Sequence, residues 1–248
     1  MSKSLIVTGG GRGIGAEVSR KAAKQGYSVC VNFHRDQTSA QKLVRELEKE
    51  GANALAYQAD VSREEEVETL FQTVEKDLGT PEALVNNAGI LDLQTRVDGM
   101  NAERIQRIFA VNVTGSFLCA REAVKRMSTK YGGKGGSIVN LSSGAAKYGS
   151  PGEYVDYAAS KAAIDTLTIG LAKEVAEEGI RVNAVRPGFI DTEIHQSGGE
   201  PDRMERVRPL VPMKRVGQAE EVADAIMWLL SDKASYTTGT ILDVSGGR

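Results

Sequence analysis

The stretch SLIVTGGGRGIGAEVSRKAAK, residues 4–24, decides how the chain is read. Its first residues form a short apolar run that suits a buried strand. The run breaks into glycines, and a helical pattern then continues to Lys24, with Gly26 as its stop. Glycines at such a turn let the main chain bend sharply and come close to a pyrophosphate, while the start of the next helix offers unclaimed N–H groups. Gly11, Gly13 and Ala16 fit the GxGxxA spacing of dinucleotide-binding turns. A glycine-rich turn alone describes many ordinary tight loops. Its position directly after the first predicted strand gives the ligand reading its weight.

Outward from this unit, the same alternation repeats. SVCVNF, NALAYQAD, EALVNNAG, SIVNLSS, IRVNAVRPG and TILDV read as six further strands. Between them apolar residues recur at helical spacing: Leu43, Val44 and Leu47; Val67, Leu70, Phe71, Val74 and Leu78; Ile164, Leu167, Leu171 and Val175 in a long helix predicted over 157–178. Residues 101–130 carry one or two more helices, another runs near 219–231, and 189–212 read as irregular and polar. Such alternation implies an α/β fold: a doubly wound, seven-stranded parallel sheet with helices on both faces and right-handed crossovers. No linker or low-complexity tract interrupts it, so residues 1–248 read as one domain.

Composition narrows the function classes. A net charge of -2 gives no electrostatic case for nucleic acid or for an anionic membrane. With 41% hydrophobic and 26% charged residues the chain reads as an ordinary soluble protein. No apolar stretch approaches the ~20 residues of a membrane span, and the first residues lack a secretory pattern. Cys30 and Cys119 each sit in an apolar run and read as buried free thiols, with no metal site, in a reducing compartment. The expectation is a cytoplasmic protein.

Open α/β sheets bind ligands beyond the carboxyl ends of their strands. Six features fall there: the glycine turn, 32–35, Asp60, the NNAG run at 86–89, Ser142–Ser143, and Pro187–Gly188. The acidic residue that usually holds a ribose 2′-hydroxyl is missing after the second strand; Asn32, His34 and Arg35 stand there, and Asp36 lies beyond the arginine. Arg12 and Arg35 together suit a 2′-phosphate, whose oxygens a guanidinium can grip in pairs. This favours NADP(H), with NAD as the other candidate.

In EYVDYAASKAA, residues 153–163, Tyr157 and Lys161 are four apart and share a helix face. A nearby ammonium favours phenolate and should lower a pKa that is ordinarily ~10. A tyrosine so placed can give a proton to a carbonyl oxygen or take one from an alcohol. Tyr154 has alanine at the same spacing and reads as a rim or packing residue. A hydroxyl of Ser142 or Ser143 could bond the same substrate oxygen.

Across its whole length the chain resembles the short-chain dehydrogenase/reductase family. The motifs are TGxxxGxG (Thr8, Gly9, Gly13, Gly15), NNAG, Asn112 in FAVNVTG, the serine of NLSS, YxxxK, and RPGFIDT at 186–192. It looks most like bacterial NADP-preferring reductases of the acyl-carrier-protein reductase and sugar dehydrogenase-like groups. The resemblance implies a Rossmann-type fold and a tetrad. Tyr157 would be general acid/base, Lys161 would tune it and bind the nicotinamide ribose, Ser143 would orient the substrate oxygen, and Asn112 would hold a water. It further implies cofactor contacts from Gly9, Arg12, Gly13, Ile14, Gly15, His34, Arg35, Asp60, Val61, Asn87, Ala88, Gly89, Pro187, Gly188, Ile190 and Thr192. Ser143 lies fourteen residues before Tyr157, where the family often has thirteen. The extra residue in GSPGEYVD should reshape the pocket mouth. Segment 189–212 reads as a substrate lid, and the family's habit implies a homotetramer.

The leading expectation is an NAD(P)-dependent oxidoreductase that interconverts a small-molecule carbonyl and a secondary alcohol. Its rivals are a sugar (glucose-type) dehydrogenase using NAD or NADP, and a non-catalytic dinucleotide-binding sensor. A sensor has no need of the Tyr–Lys pair.

Overall fold

A computed structural model describes residues 3–192, 200 and 203–248 of the chain. Seven strands form one sheet: β1 (Ser4–Val7), β2 (Ser28–Phe33), β3 (Ala54–Gln58), β4 (Pro81–Asn86), β5 (Gly136–Leu141), β6 (Ile180–Pro187) and β7 (Ile241–Val244). Their order is β3-β2-β1-β4-β5-β6-β7, and every pairing is parallel. The expected doubly wound sheet is present.

Side chains alternate across this sheet because a strand has a period of two. Leu5, Val7, Val29, Val31, Val85, Val139 and Val185 face one layer, together with α1 (Gly13–Lys24), α2 (Gln37–Lys49) and, late in the chain, the helix Ala219–Leu230. Ile6, Cys30, Leu84, Ile138 and Val182 face the other. That layer is built by α3 (Glu64–Leu78), α5 (Gly115–Met127) and α6 (Val155–Val175), with α4 (Ala102–Phe109) preceding α5. Both faces are thus covered, as parallel sheets require. Cys30 and Cys119 are buried and free, and burial pushes the Cys119 thiol up to about 12.

Two expectations are adjusted. Residues 101–130, read as one or two helices, hold two, joined by a π-turn, Ala110–Thr114, that the sequence pattern did not show. Segment 189–212 is less irregular than its composition suggests: Arg203–Val207 is helical and Arg208–Leu210 a 3-10 turn, anchored by buried Val207 and Val211. Residues 193–199, 201 and 202, the middle of the expected lid, lie outside the described residues.

Strand order reverses between β1 and β4: the chain runs outward from β1 through β2 to β3, then crosses back to place β4 on the other side of β1. At such a switch point the loops beyond the carboxyl ends diverge and leave a crevice.

Candidate active site

A cleft of about 1220 Å³ opens along this edge of the sheet. That exceeds the roughly 300–1,000 Å³ of a typical ligand pocket, so a dinucleotide and a second molecule can share it. Its floor is made by the first loop and NNAG, which lock together. The Thr8 hydroxyl accepts from the N–H groups of Asn87 and Ala88, each at 3.0 Å. The Asn87 amide donates to the carbonyls of Thr8 (2.9 Å) and Gly9 (3.0 Å). From the other side Asn32 accepts from the Gly9 N–H at 3.3 Å and donates to the carbonyls of Tyr57 and Ala59. Asn86 points away from the cleft, into a buried chain through Asn140 to Thr168. The two asparagines of one motif therefore do different work.

Gly9 and Gly13 take φ values of +60° and +52°, which side chains rarely adopt. Helix α1 begins here with no side-chain cap, so its first N–H groups face the cleft mouth as an anion site. This cradle fits a pyrophosphate. Gly15, expected among the cofactor contacts, does not line the cleft. It is buried against the loop, and a Cβ there would lie 2.5 Å from the Gly9 carbonyl oxygen. Gly15→Ala is expected to destabilise the fold by about 1–3 kcal/mol, the usual cost of overpacking, measured by urea unfolding. A variant as stable as the parent would mean that the turn can shift freely.

Beyond β2, Arg12 and Arg35 are exposed on the cleft lining, and among the described residues neither forms an ion pair. Asp36 caps α2, accepting from the Ser39 N–H at 3.0 Å. That bond and the nearby Arg12 charge hold its carboxyl below the usual range. Asp60 accepts from the hydroxyl (2.7 Å) and N–H (3.0 Å) of Ser62, and His34 sits 3.7 Å from it. Burial pushes the Asp60 carboxyl up, but these bonds and the charges of His34 and Arg63 bring it below its ordinary value. Val61, Gly89, Pro187, Gly188, Ile190 and Thr192 line the same cleft, with Ile14 and Ala88.

The catalytic candidates converge from β5, the π-turn and α6. Ser143 lines the cleft with Tyr157, accepts from the Ala145 N–H at 3.1 Å, and its hydroxyl acts to lower the Tyr157 pKa. The Ser142 hydroxyl instead donates to the Lys161 carbonyl at 3.2 Å and is buried. The two serines, between which the residue pattern did not choose and the family resemblance favoured Ser143, thus have different partners. Lys161 is 4% exposed, its Nζ 5.7 Å from the Tyr157 ring centre and 2.7 Å from the Leu141 carbonyl oxygen, to which it donates. Gly89 keeps this corner open, since a Cβ on it would lie 3.4 Å from the same Nζ.

The expected lowering of the tyrosine pKa is corrected. Burial pushes the Tyr157 phenol above its ordinary value, opposed by the Ser143 hydrogen bond and by the charge of Arg203. Lys161 is itself pushed down to about 8 by burial, with Asp165 pulling the other way. An ammonium so weakly favoured, and bonded to a carbonyl, is not what tunes the phenol in this state.

Asn112 does not line the cleft. It is fully buried in the π-turn, accepting from the Ile90 N–H (2.8 Å) and donating to the Ile90 carbonyl (2.9 Å) and the Ser160 hydroxyl (3.0 Å). The extra turn residue aims its amide at the chain after NNAG, in keeping with the frequency of π-bulges at functional sites. Tyr154 is buried on the cleft wall, as a rim residue. The loop carrying the extra residue bends through Gly149, Ser150 and Gly152, all at positive φ, and Ser150, Pro151 and Glu153 line the cleft mouth. Sequence reasoning missed the buried pair Arg104–Asp156, whose carboxylate accepts from the Tyr157 N–H at 2.9 Å and from Arg104 Nε at 2.6 Å. Its members are 52 residues apart, and no local pattern joins them.

Comparison with known proteins bears on this geometry. Residues 9–248 match the family model described as Enoyl-(Acyl carrier protein) reductase. An uncharacterized oxidoreductase, YgfF, of Escherichia coli is 57% identical over 98% of both chains. The 3beta-hydroxysteroid dehydrogenase 1 of Eggerthella lenta is 41% identical, over 99% of this chain and 93% of that one. A crystal structure of a short chain dehydrogenase from Burkholderia cenocepacia in complex with NADP superposes with a TM-score of 0.89 at 30% identity, over 99% of this chain and 97% of the other. With the glycine cradle, the NNAG lock and the Ser–Tyr–Lys cluster on one cleft, these matches place the chain in the short-chain dehydrogenase/reductase family, as an NAD(P)-dependent oxidoreductase acting on carbonyl or alcohol groups.

Proposed function

We propose that the protein interconverts a small-molecule carbonyl and a secondary alcohol with NADP(H) as preferred cofactor, and that Tyr157 is its general acid/base. The observation that carries this reading is the convergence of Ser143, Tyr157 and Lys161 on one cleft wall, with the Lys161 Nζ 5.7 Å from the Tyr157 ring centre. The nicotinamide, when bound, supplies or accepts the hydride. Tyr157 gives its proton to the substrate oxygen as the carbonyl carbon is reduced, and takes one in the reverse direction. Ser143 orients that oxygen. Lys161 holds the nicotinamide ribose, and Asn112 fixes the backbone beside it. The other family contacts, from Gly9 round to Thr192, hold the rest of the dinucleotide. Gly15 shapes the loop without touching the ligand.

The cofactor preference rests on Arg12 and Arg35, and on Asp36 being engaged as a helix cap. The bound NADP of the Burkholderia protein supports it. Arg35→Ala is expected to weaken NADPH binding about tenfold or more, since a charge-assisted hydrogen bond contributes ~1.5–3 kcal/mol, and to leave NADH binding nearly unchanged. Fluorescence titration measures both. Equal affinity of the unmutated protein for NADH and NADPH would overturn the preference.

Residues 1–248 act as one domain, with the described part of 189–212 bordering the substrate. Exposed Phe117 on α5 and Ile169 on α6 support a homotetramer, which sedimentation would test. Two buried thiols suit the cytoplasm, and among the described residues no helix is long and apolar enough to cross a membrane.

A further inference from the structure

At the end of the cleft past Tyr157, an aromatic wall carries two guanidinium groups. Arg203, 6% exposed, lies 5.1 Å from the ring centre of Tyr154 and 5.7 Å from that of Phe189. Arg248 lies 4.5 Å from the same Phe189 ring centre and 5.1 Å from that of Tyr148. All five residues line the cleft that holds Tyr157 and Ser143. The last residues of the chain are fixed there: the Met213 N–H donates to the Gly246 carbonyl at 3.2 Å, and the Ser245 hydroxyl to the Arg248 main-chain oxygen at 2.7 Å.

Two of the arginines at this end share their partners. Arg203 donates to Glu153 (2.6 Å) and Glu200 (3.1 Å), and Arg206 donates to the same two carboxylates. Among the described residues Arg248 has no ion pair. Two donors are also orphaned: Nε of Arg203 and one terminal NH of Arg248 are buried with no hydrogen-bond partner among the described residues. Buried polar groups are nearly always satisfied, and an exception calls for a reason. Stacking on aromatic rings accounts for the planes of the guanidiniums. It does not account for unmet donors at two separate positions on a cleft-lining wall. The Arg203 charge is also near enough to act on Tyr157.

We infer that Arg203 and Arg248 bind an anionic group of the substrate, a carboxylate matching the guanidinium fork best, so that the preferred substrates are oxo acids and their hydroxy acids. This rests on the carbonyl–alcohol reading of the site. A site whose buried donors need an acceptor discriminates against the analogue that lacks one.

The test compares matched pairs by following NADPH oxidation: acetoacetate and levulinate against their methyl esters, and dihydroxyacetone phosphate against dihydroxyacetone. The expected result is a kcat/KM for the anion roughly tenfold or more above that of its neutral partner, chiefly through KM. Preference in the first two pairs marks a carboxylate, and preference in the third alone marks a phosphate. In Arg248→Ala the anion-to-neutral ratio should fall by roughly tenfold, and in Arg203→Lys, which keeps the charge but removes the Nε donor, by less. NADPH titration of each variant reports that the cofactor cleft stands. The wild-type ratio needs no variant at all. Neutral partners turned over as well as the anions would overturn the inference and leave the carbonyl–alcohol reading intact. No turnover of any carbonyl compound or of its alcohol with NADP would overturn both.

Discussion

Tyr157→Phe is expected to lower kcat/KM for every carbonyl substrate by ~10³-fold, within the 10²–10⁴ that a positioned proton donor contributes. The ring remains, so the packing of α6 and the cleft wall should be preserved, and NADPH affinity should change by less than about twofold. In the structure the phenol is pushed above its ordinary value by burial, so it stays protonated across neutral pH, the form that reduction needs. Ser143→Ala should cost roughly 10²-fold, because it removes the hydroxyl that lines the cleft beside Tyr157. Ser142→Ala should leave turnover close to wild type and lower stability instead, since its hydroxyl bonds the main chain of α6. Single-turnover reduction, which isolates chemistry from product release, distinguishes these cases. A Tyr157→Phe protein that keeps a tenth of the parent rate would sink the acid–base assignment.

The fold was legible because its signals are local. Each strand of the sheet is a short apolar run, and each covering helix shows its apolar stripe, so a seven-stranded parallel sheet follows from the alternation of strand and helix, while the order of its strands does not. The floor of the site was legible for the same reason, since the loops after β1, β2, β4, β5 and β6 all open on one edge. What stayed hidden depends on contacts between distant segments. Asn112 looks like one more polar residue in a helix, and only the π-turn shows why its amide meets Ile90. The choice between Ser142 and Ser143 turns on which hydroxyl meets α6 and which meets Tyr157. Asp36 looked like an acidic residue one step out of place, and it is a helix cap. Arg203 and Arg248, 45 positions apart in the chain, meet on one phenyl ring. The Tyr157 pKa was misread because spacing reveals that Lys161 shares its helix face, and not that the ammonium is desolvated and bonded to Leu141.

That desolvation gives a second expected result, on stability as well as rate. Lys161→Met should lower kcat/KM by roughly 10²-fold or more, because the residue that holds the ribose and borders Tyr157 is gone. The same change should alter the pH dependence of folding in a defined window. Burial depresses the Lys161 pKa to about 8 in the folded protein, against ~10.4 for an unfolded lysine. Below pH 8 both states carry the proton, and the folded state bears the full cost of a buried ammonium. Between about pH 8 and 10.4 the unfolded chain still holds a proton that the folded chain has released, so stability from this group rises with pH. Above that range the cost is absent. The shift corresponds to about 3 kcal/mol. Urea unfolding of both proteins across pH 7 to 10.5 measures it: wild type should gain about that much relative to Lys161→Met over this window, with titrations common to both cancelling in the difference. A difference that stays flat would mean that Lys161 keeps an ordinary pKa in the folded protein, and that the side chain finds an anion or water at its Nζ beyond the Leu141 carbonyl.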